Sequence, residues 1–561
     1  IHGDILRKGR LTDFQVNGDS FKDAVLEELK KVILYEFPER NNPCITNGDK
    51  YVLDREQQDL FVQTASEGYA QRSDLENNLK DYLQDETQKT MLITAEAGLG
   101  KTTLLANFVR NASSGFDPAH GVFRFCGVSD LTNDSFTLWN SICRQTQVSP
   151  PESMDDLRQN MPQILNQIAE AGFHYIIIDA VNQMQDGERM LQIIPPELPR
   201  CLKLILSIKQ DKGNPDSLIT MQERFILFPI TGLDNDKVKN NLIDFFLKRY
   251  LKTLDKDQKD ALCASKQSKN PLFLKIILHE LHFFGAYKQL PAEIAKYKES
   301  PLHAFNQVLI RLETEQAEEG ILPGQSVSFL FGLLACARNG LTEKELFLCF
   351  SRRFKQHDPI NKKSNHERIL GTIRYYLRQV RPFMARRNGR IDFLYDSFKE
   401  AAFFRYTDSH KELHKTLGDC FQKLCDPDGD DTFDSDNTRA FVELGYHVTE
   451  YDYYKGEQLY SKLTYLDARC SLSSIQLLLT EMNRFQTDIC RSFHKIILRF
   501  QSVLSNYPNA LFSICRAEKS SPPYRQTDKL IADEKWSKTW LDVEQIFTLQ
   551  DTEHDEQCSL R

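Results

Sequence analysis

No stretch of this chain approaches the ~20 consecutive apolar residues that a helix needs to cross a bilayer, so no membrane span is expected. There is no excess of positive charge either. Lys plus Arg number 71 against 79 Asp plus Glu, a net charge of -8, which argues against a nucleic-acid or anionic-membrane partner. The 13 cysteines are an odd number scattered singly without a C-x-x-C, as expected of reduced, cytoplasmic, mostly buried thiols. Cys420 and Cys425 lack metal-ligand spacing, and Lys411 follows His410, so the pair His410/His414 is not an H-E-x-x-H zinc site. Those two read as surface histidines of a charged helix. Low-complexity tracts and internal repeats are missing as well. The opening residues are neither an initiator Met nor a secretory signal, so the chain is expected to be a fragment of something longer. What remains is ordinary for a core-forming protein: 41% hydrophobic and 27% charged residues over 561 positions, room for three or four domains.

The richest segment runs from Met91 to Leu105, an apolar strand, a glycine-bearing turn and a helix start around Gly100-Lys101-Thr102. Ala95, Glu96, Ala97, Gly98, Leu99, Gly100, Lys101, Thr102 and Thr103 form a phosphate-binding loop of the G-x-x-x-x-G-K-[ST] type, with Ala95 where the first glycine is usual. Such a loop aims several backbone N–H groups at one point, and the positive end of the next helix reinforces them. Lys101 would reach the β- and γ-phosphates and Thr102 would hold Mg²⁺. Alanine at 95 preserves the turn only if its φ stays negative.

Short apolar runs at Met91–Thr94, Gly121–Cys126, Tyr175–Ile178, Leu202–Ser207 and Ile226–Ile230 alternate with helical patterns at Thr102–Asn111, Thr137–Thr146 and Met154–Ala171. That alternation predicts an α/β core, a parallel sheet covered by helices on both faces. Ahead of it come an amphipathic helix over 20–36, a linker over 37–50, a helix over 54–66, and a helix over 73–83 capped by Ser73 with Glu76 three residues on. Beyond about residue 235 the pattern is mostly helical. The exception is a hairpin over 383–394 turning at Asn388-Gly389, which follows helices in the outline of a winged helix. The divisions expected are a leader over 1–62, the P-loop core over 63–235, a small helical domain over 236–320, a winged helix over 321–410, a helical domain over 411–522 and a tail over 523–561.

The second nucleotide motif is Tyr175-Ile-Ile-Ile-Asp179, a buried strand ending in a carboxylate 78 positions after Lys101. At the C-terminal edge of a parallel sheet, Asp179 accepts hydrogen bonds from Mg²⁺-bound water. The positions that follow, where many ATPases carry a second acid, hold Asn182 and Gln183. An amide can orient water but cannot take its proton, so turnover is expected to be slow. The strand ending at Lys209 brings Ser207 and Lys209 to the same edge, either to sense a γ-phosphate or, for Lys209, merely to end in solvent.

With these motifs in order, the chain resembles the STAND class of signalling P-loop NTPases over roughly residues 50–510. It is most similar to the NACHT-type branch that includes nephrocystin-3 and the telomerase-associated protein. Tyr69-Ala-Gln-Arg72 stands where that branch has Tyr-x-Gly-Arg, and Ile176–Gln183 resembles its Asp-Ala-Leu-Asn-Gln motif. Asn270-Pro271-Leu272 resembles the start of the small helical domain's Pro-Leu helix, whose proline approaches the adenine in the family; Pro271 is also simply a good first-turn residue. Leu341–Leu346 and Phe393–Phe398 resemble winged-helix segments, with Tyr395 and Asp396 near the position of a family histidine that contacts the β-phosphate. Leu444–Val448 resembles a segment of the following helical region, in which His447 reads as a packing residue.

The resemblance implies a switch held closed with ADP and opened on exchange for ATP (GTP is the alternative), with Mg²⁺. The open form would self-associate as a homo-oligomer, answering an unidentified trigger and driving an unidentified effector. Lys101, Asp179 and Asn182 would carry the slow chemistry, and Arg72, Ser207, Lys209 and Pro271 would join the loop in holding nucleotide. A scaffold stabilised by nucleotide, with little or no hydrolysis, is the alternative from the residues alone.

Overall fold

A computed structural model describes residues 50–540 apart from 68, 112–116, 118, 211–221, 249, 251, 284–296, 298–299, 315–324, 355–361, 388, 473–474, 520, 534–535, 537 and 539. The helix expected over 20–36 and the linker over 37–49 lie outside the described residues, as does the tail beyond 540. The chain divides into two compact units, residues 1–57 and 58–561. Of the first, only the opening turns of helix α1 (Lys50–Ala65) are described, so helix rather than linker begins at Lys50.

The five apolar runs form five strands: β1 (Met91–Ala95), β2 (Gly121–Phe125), β3 (Tyr175–Asp179), β4 (Lys203–Lys209) and β5 (Ile226–Pro229). All pair in parallel, in the order β2-β3-β4-β1-β5. Side chains two apart share a face, and the two faces hold different cores. Leu92, Ile176, Ile178, Leu204 and Leu206 face α4 (Ser135–Gln145) and α5 (Met154–Glu170), where Trp139, Leu157 and Met161 are buried. Met91, Ile93, Ile177 and Ile205 face α2 (Ser73–Gln84) and α3 (Lys101–Arg110), with Leu79, Leu104 and Phe108. Burial on both sides is why these runs are continuously apolar rather than alternating.

The expected Ser73 cap is absent. Ser73 is the first helical residue, the cap position belongs to Arg72, and no side chain caps it. Glu76 Oε1 instead accepts from the Arg72 backbone N–H, four residues back, at 3.3 Å. The Arg72 side chain is used elsewhere, on carbonyls of the loop and of residue 231.

The helical remainder begins with α6 (Gly187–Ile193) inside the sheet region, then α7 (Asp236–Lys248), α8 (Lys256–Ala264), α9 (Pro271–Phe283), α10 (Pro301–Thr314) and α11 (Gln325–Cys336). A short strand β6 (Leu341–Thr342) leads into α12 (Glu343–Arg353) and α13 (Lys362–Gln379), followed by β7 (Met384–Arg387), β8 (Arg390–Phe393) and α14 (Asp396–Arg405). The hairpin is where the sequence puts it: Arg387 pairs with Arg390, Gly389 has φ 75°, and β6 joins as a third antiparallel strand. Next come α15 (His410–Cys425) and α16 (Thr438–Tyr451), and the described helices continue to Ala532. One apolar core runs from Ile243 to Cys515 through this half. Among the described residues no helix is long and apolar enough to cross a membrane.

His414 departs from expectation. It is 7% exposed, and its Nδ1 lies 2.9 Å from Nδ1 of His447, which is itself fully buried and stacked on Phe421. Both sit on the face where α15 meets α16. A helical face can be assigned from sequence, but the partner helix that covers it cannot.

Candidate functional site

The C-terminal ends of β3, β4 and β1 lie side by side, because β4 inserts between the other two. Register aligns Ala95 with Lys209 and Ile178 with Leu206, so Asp179, Ser207 and the start of the phosphate loop share one edge. Ala95 is the last ladder residue of β1 and is not among the residues with positive φ. That resolves the missing first glycine: the position is extended strand, which any residue adopts. The left-handed turns fall instead on Gly98 (φ 80°) and Gly100 (φ 92°), both glycines. Glu96 points to solvent, Ala97 and Leu99 are half-buried in the turn, and Thr103 is half-buried in the first turn of α3.

Lys101 begins α3 and its Nζ folds back over the loop, donating to the carbonyls of Ala95 at 2.7 Å and Glu96 at 3.2 Å. Burial lowers its pKa, opposed by the charge of Asp179, and Lys209 lowers it further. The Thr102 hydroxyl donates to Asp179 Oδ2 at 2.7 Å. The other carboxylate oxygen accepts from the Ser207 hydroxyl, whose oxygen in turn accepts the Ala180 N–H at 2.8 Å. Asp179 is 1% exposed. Burial raises its pKa, and the Ser207 and Thr102 hydrogen bonds and Lys101 act against that rise. A hydroxyl and a carboxylate converging at a helix N-terminus are hard oxygen donors, the set that suits Mg²⁺. Thr102 and Asp179 would therefore hold that ion, which supplies charge neutralisation for a polyphosphate when bound.

Asn182 stands two residues after Ala180, which takes a left-handed φ of 56° to leave the strand. Its Oδ1 accepts the Lys209 backbone N–H at 2.8 Å, so this amide pins the end of β4 to the turn after β3. Arg72 lies beneath the loop. Its guanidinium donates to the carbonyls of Leu99 at 3.1 Å and Thr231 at 2.8 Å, and burial lowers its pKa. Arg72 thus braces the loop's backbone. Pro271 opens α9 at the loop's flank.

Two contributions were missed by sequence reasoning. Asn270 caps α9, its Oδ1 accepting from Leu272 N at 2.9 Å, and its Nδ2 donates to the Ala97 carbonyl at 3.1 Å. The signal was available, since Asn before a helix-opening Pro is a cap pattern. A Cβ on Gly98 would come within 2.8 Å of both Asn270 Oδ1 and Leu272 Cβ, so α9 and the loop fit only with glycine there. The second is acidic. Lys209 Nζ lies 3.9 Å from Asp396 and 3.6 Å from Glu400, both on α14; the resemblance set Asp396 near a phosphate-contacting position, but no local pattern signals the pairing with Lys209.

A family model for the NACHT domain matches residues 89–249. Telomerase protein component 1 of Rattus norvegicus is 23% identical over 409 residues, covering 66% of this chain and 15% of that protein. NACHT and WD repeat domain-containing protein 2 of Mus musculus is 26% identical over 272 residues, covering 44% of this chain and 15% of that protein. The chain thus spans about 15% of the length of these curated relatives. A solved Walker-type ATPase of Pyrococcus abyssi aligns at 12% identity and a TM-score of 0.30, over 60% of this chain and 96% of that one, too low to bear on function. The family match starts just ahead of β1 and ends just past α7, so it is this loop-bearing sheet region that is similar to a NACHT domain.

Proposed function

We propose that the chain is a nucleotide-dependent signalling switch. It binds ATP, or GTP, with Mg²⁺, hydrolyses it slowly, and couples nucleotide state to domain opening and self-association. Lys101, Thr102 and the loop N–H groups take the phosphates, and Thr102 and Asp179 take the metal. The observation that carries this reading is a phosphate loop whose neighbouring polar groups at the end of β3 are already engaged. Asp179 is committed to Thr102 and Ser207, and the one acceptor atom of the Asn182 amide is committed to Lys209. A loop whose nearest acid and amide are held by neighbouring groups suits retention of nucleotide more than turnover.

The coupling half rests on the contacts made to the loop from far along the chain. Asn270 reaches Ala97, and α14 reaches Lys209. In this reading residues 63–235 are the P-loop core, 236–320 the small helical domain, 321–410 a winged helix ending in α14, and 411–522 a helical domain. The winged helix is the element that moves, because a ligand shifts a two-state equilibrium only through contacts that differ between the states.

Lys101→Ala tests the proposal. Size-exclusion chromatography with and without Mg-ATP should show ligand-dependent oligomers for the natural chain and none for the folded variant. Hydrolysis should stay below ~1 s⁻¹, the low end of ordinary enzymes. Oligomers unchanged in Lys101→Ala, or turnover well above that rate, would refute the switch.

A further inference from the structure

The net charge of -8 averages over a surface with a strong local exception. Between His366 and Arg390 lie seven arginines, no lysine and a single acid, Glu367. The fold gathers these charges on one side. Helix α13 buries Ile369, Ile373, Tyr376 and Leu377, so Gly371, Arg374 and Arg378, three and four positions apart on its other face, are exposed. Arg381, just past the helix, and Arg386 on β7 are exposed as well.

Glu343 of α12 ties helix to hairpin. It accepts from Arg374 Nε at 3.1 Å and Nη2 at 2.9 Å. That bond, together with the charge of Arg386, holds its carboxyl below the usual carboxylate range against the effect of burial. Arg374 and Arg386 are therefore neighbours around one carboxylate. A guanidinium carries five N–H donors, so Glu343 aims Arg374 without exhausting it. Gly371 points the same way. It sits inside a helix, where glycine is less stable than alanine, its φ is not positive, and nothing lies within 4 Å of where a Cβ would stand. Packing within the chain gives no reason for it. A bare backbone in the middle of an arginine face lets the backbone of a partner come close.

We propose that the face formed by α13 and the β7–β8 hairpin binds double-stranded nucleic acid through its phosphate backbone. The guanidinium fork matches phosphate oxygens two at a time, which an ammonium does not. None of the described large apolar side chains exposed on the molecule lies between residues 366 and 390, so the face has no anchor for a lipid bilayer. Entry of a helix into the ~12 Å major groove is open in DNA only, because that of an RNA duplex is too narrow.

The test is fluorescence anisotropy of the full chain, without nucleotide, against labelled DNA and RNA duplexes of about 20 base pairs, roughly two helical turns. Saturable binding is expected with Kd of ~10⁻⁶–10⁻⁴ M. Arg374, Arg378, Arg381 and Arg386 on phosphates should give log K against log salt a slope of about -3 to -4. Arg378→Gln with Arg386→Gln should weaken binding about tenfold or more at low salt and reduce the steepness of that slope by about two. Lys455→Gln with Lys495→Gln removes the same charge from exposed positions elsewhere and should change neither. Gly371→Glu is the second variant. It meets no neighbour and favours the helix, so it should fold at least as stably as the natural chain yet weaken binding by a similar factor. DNA bound tighter than RNA marks groove entry, and any other order marks backbone contact alone; both uphold the face. No saturable binding to either duplex, binding that either face variant leaves unaltered, or an equal loss in the lysine control overturns the proposal. So does tighter binding of a polyglutamate peptide or of phosphatidylserine vesicles than of both duplexes, which would assign the face to an acidic protein or to a membrane.

Discussion

Replacing Ser207 by alanine deletes one hydroxyl that holds two groups, the Asp179 carboxylate and the Ala180 N–H. Ser207 is fully buried, so water does not replace it. A hydrogen bond to a charged group contributes about 1.5–3 kcal/mol, and a stranded buried N–H costs about 1–3 kcal/mol. The expected loss is thus about 3–5 kcal/mol, and its two parts differ in pH dependence. Asp179 already has a pKa raised by burial, and Ser207 is the foremost of the groups opposing that rise. Without Ser207 the folded pKa climbs further. An acid with a raised folded pKa costs stability above that pKa, and the cost fades as pH falls toward the unfolded value of about 3.9.

The carboxylate part of the loss should therefore shrink as pH falls toward the unfolded value, while the N–H part stays constant. Urea unfolding read through Trp139, buried in the core of the sheet, measures this in a background with Trp536 and Trp540 changed to Phe. Titrations elsewhere cancel between variant and parent. A loss of the same size at every pH from neutral down to the acid unfolding limit would show that Ser207 acts by packing and that Asp179 does not depend on it.

Two further outcomes follow from the geometry. Gly98→Ala should reduce nucleotide affinity and destabilise more than Gly100→Ala. Both adopt positive φ, at about 1–2 kcal/mol for a side chain, but only at Gly98 does the new Cβ meet Asn270 and Leu272 at 2.8 Å, with nothing within 4 Å at Gly100. Paired thermal melts check this, and equal losses would remove the claimed fit of α9 to the loop. Burial lowers the pKa of His414 to about 4. A histidine held neutral in the fold is fully compatible with it above about pH 6.5, and its contribution is lost as pH falls toward 4. That shift is worth about 3 kcal/mol. Urea midpoints should drop across that window, less steeply in His414→Gln; an identical slope would assign the loss to other groups.

Much of the nucleotide edge was legible because its determinants are local. Each strand is a run of β-rich apolar residues, and the loop's left-handed turns fall on its glycines. Even Ala95 yields to the simple statement that the position is strand. What could not be read depends on register and on remote surfaces. Asn182 looked free to orient water, yet the alignment of β3 with β4 gives its oxygen to Lys209 N. His414 looked like a surface residue until α16 brought His447 against it. Arg72 carries a motif, but the motif does not say that two carbonyls 132 positions apart, 99 and 231, share its guanidinium. Asp396 and Glu400 are an unremarkable pair on a helix until the fold sets them beside the lysine that ends β4.

The most direct measurement is a calorimetric titration of the full chain and of Lys101→Ala with ATP and GTP in the presence of Mg²⁺. Saturable binding of at least one of them is predicted, weakened about 10- to 100-fold by the variant as one or two charge-assisted hydrogen bonds are lost. Absence of binding by the natural chain, or equal binding by the variant, would contradict the assignment of this edge to a nucleotide.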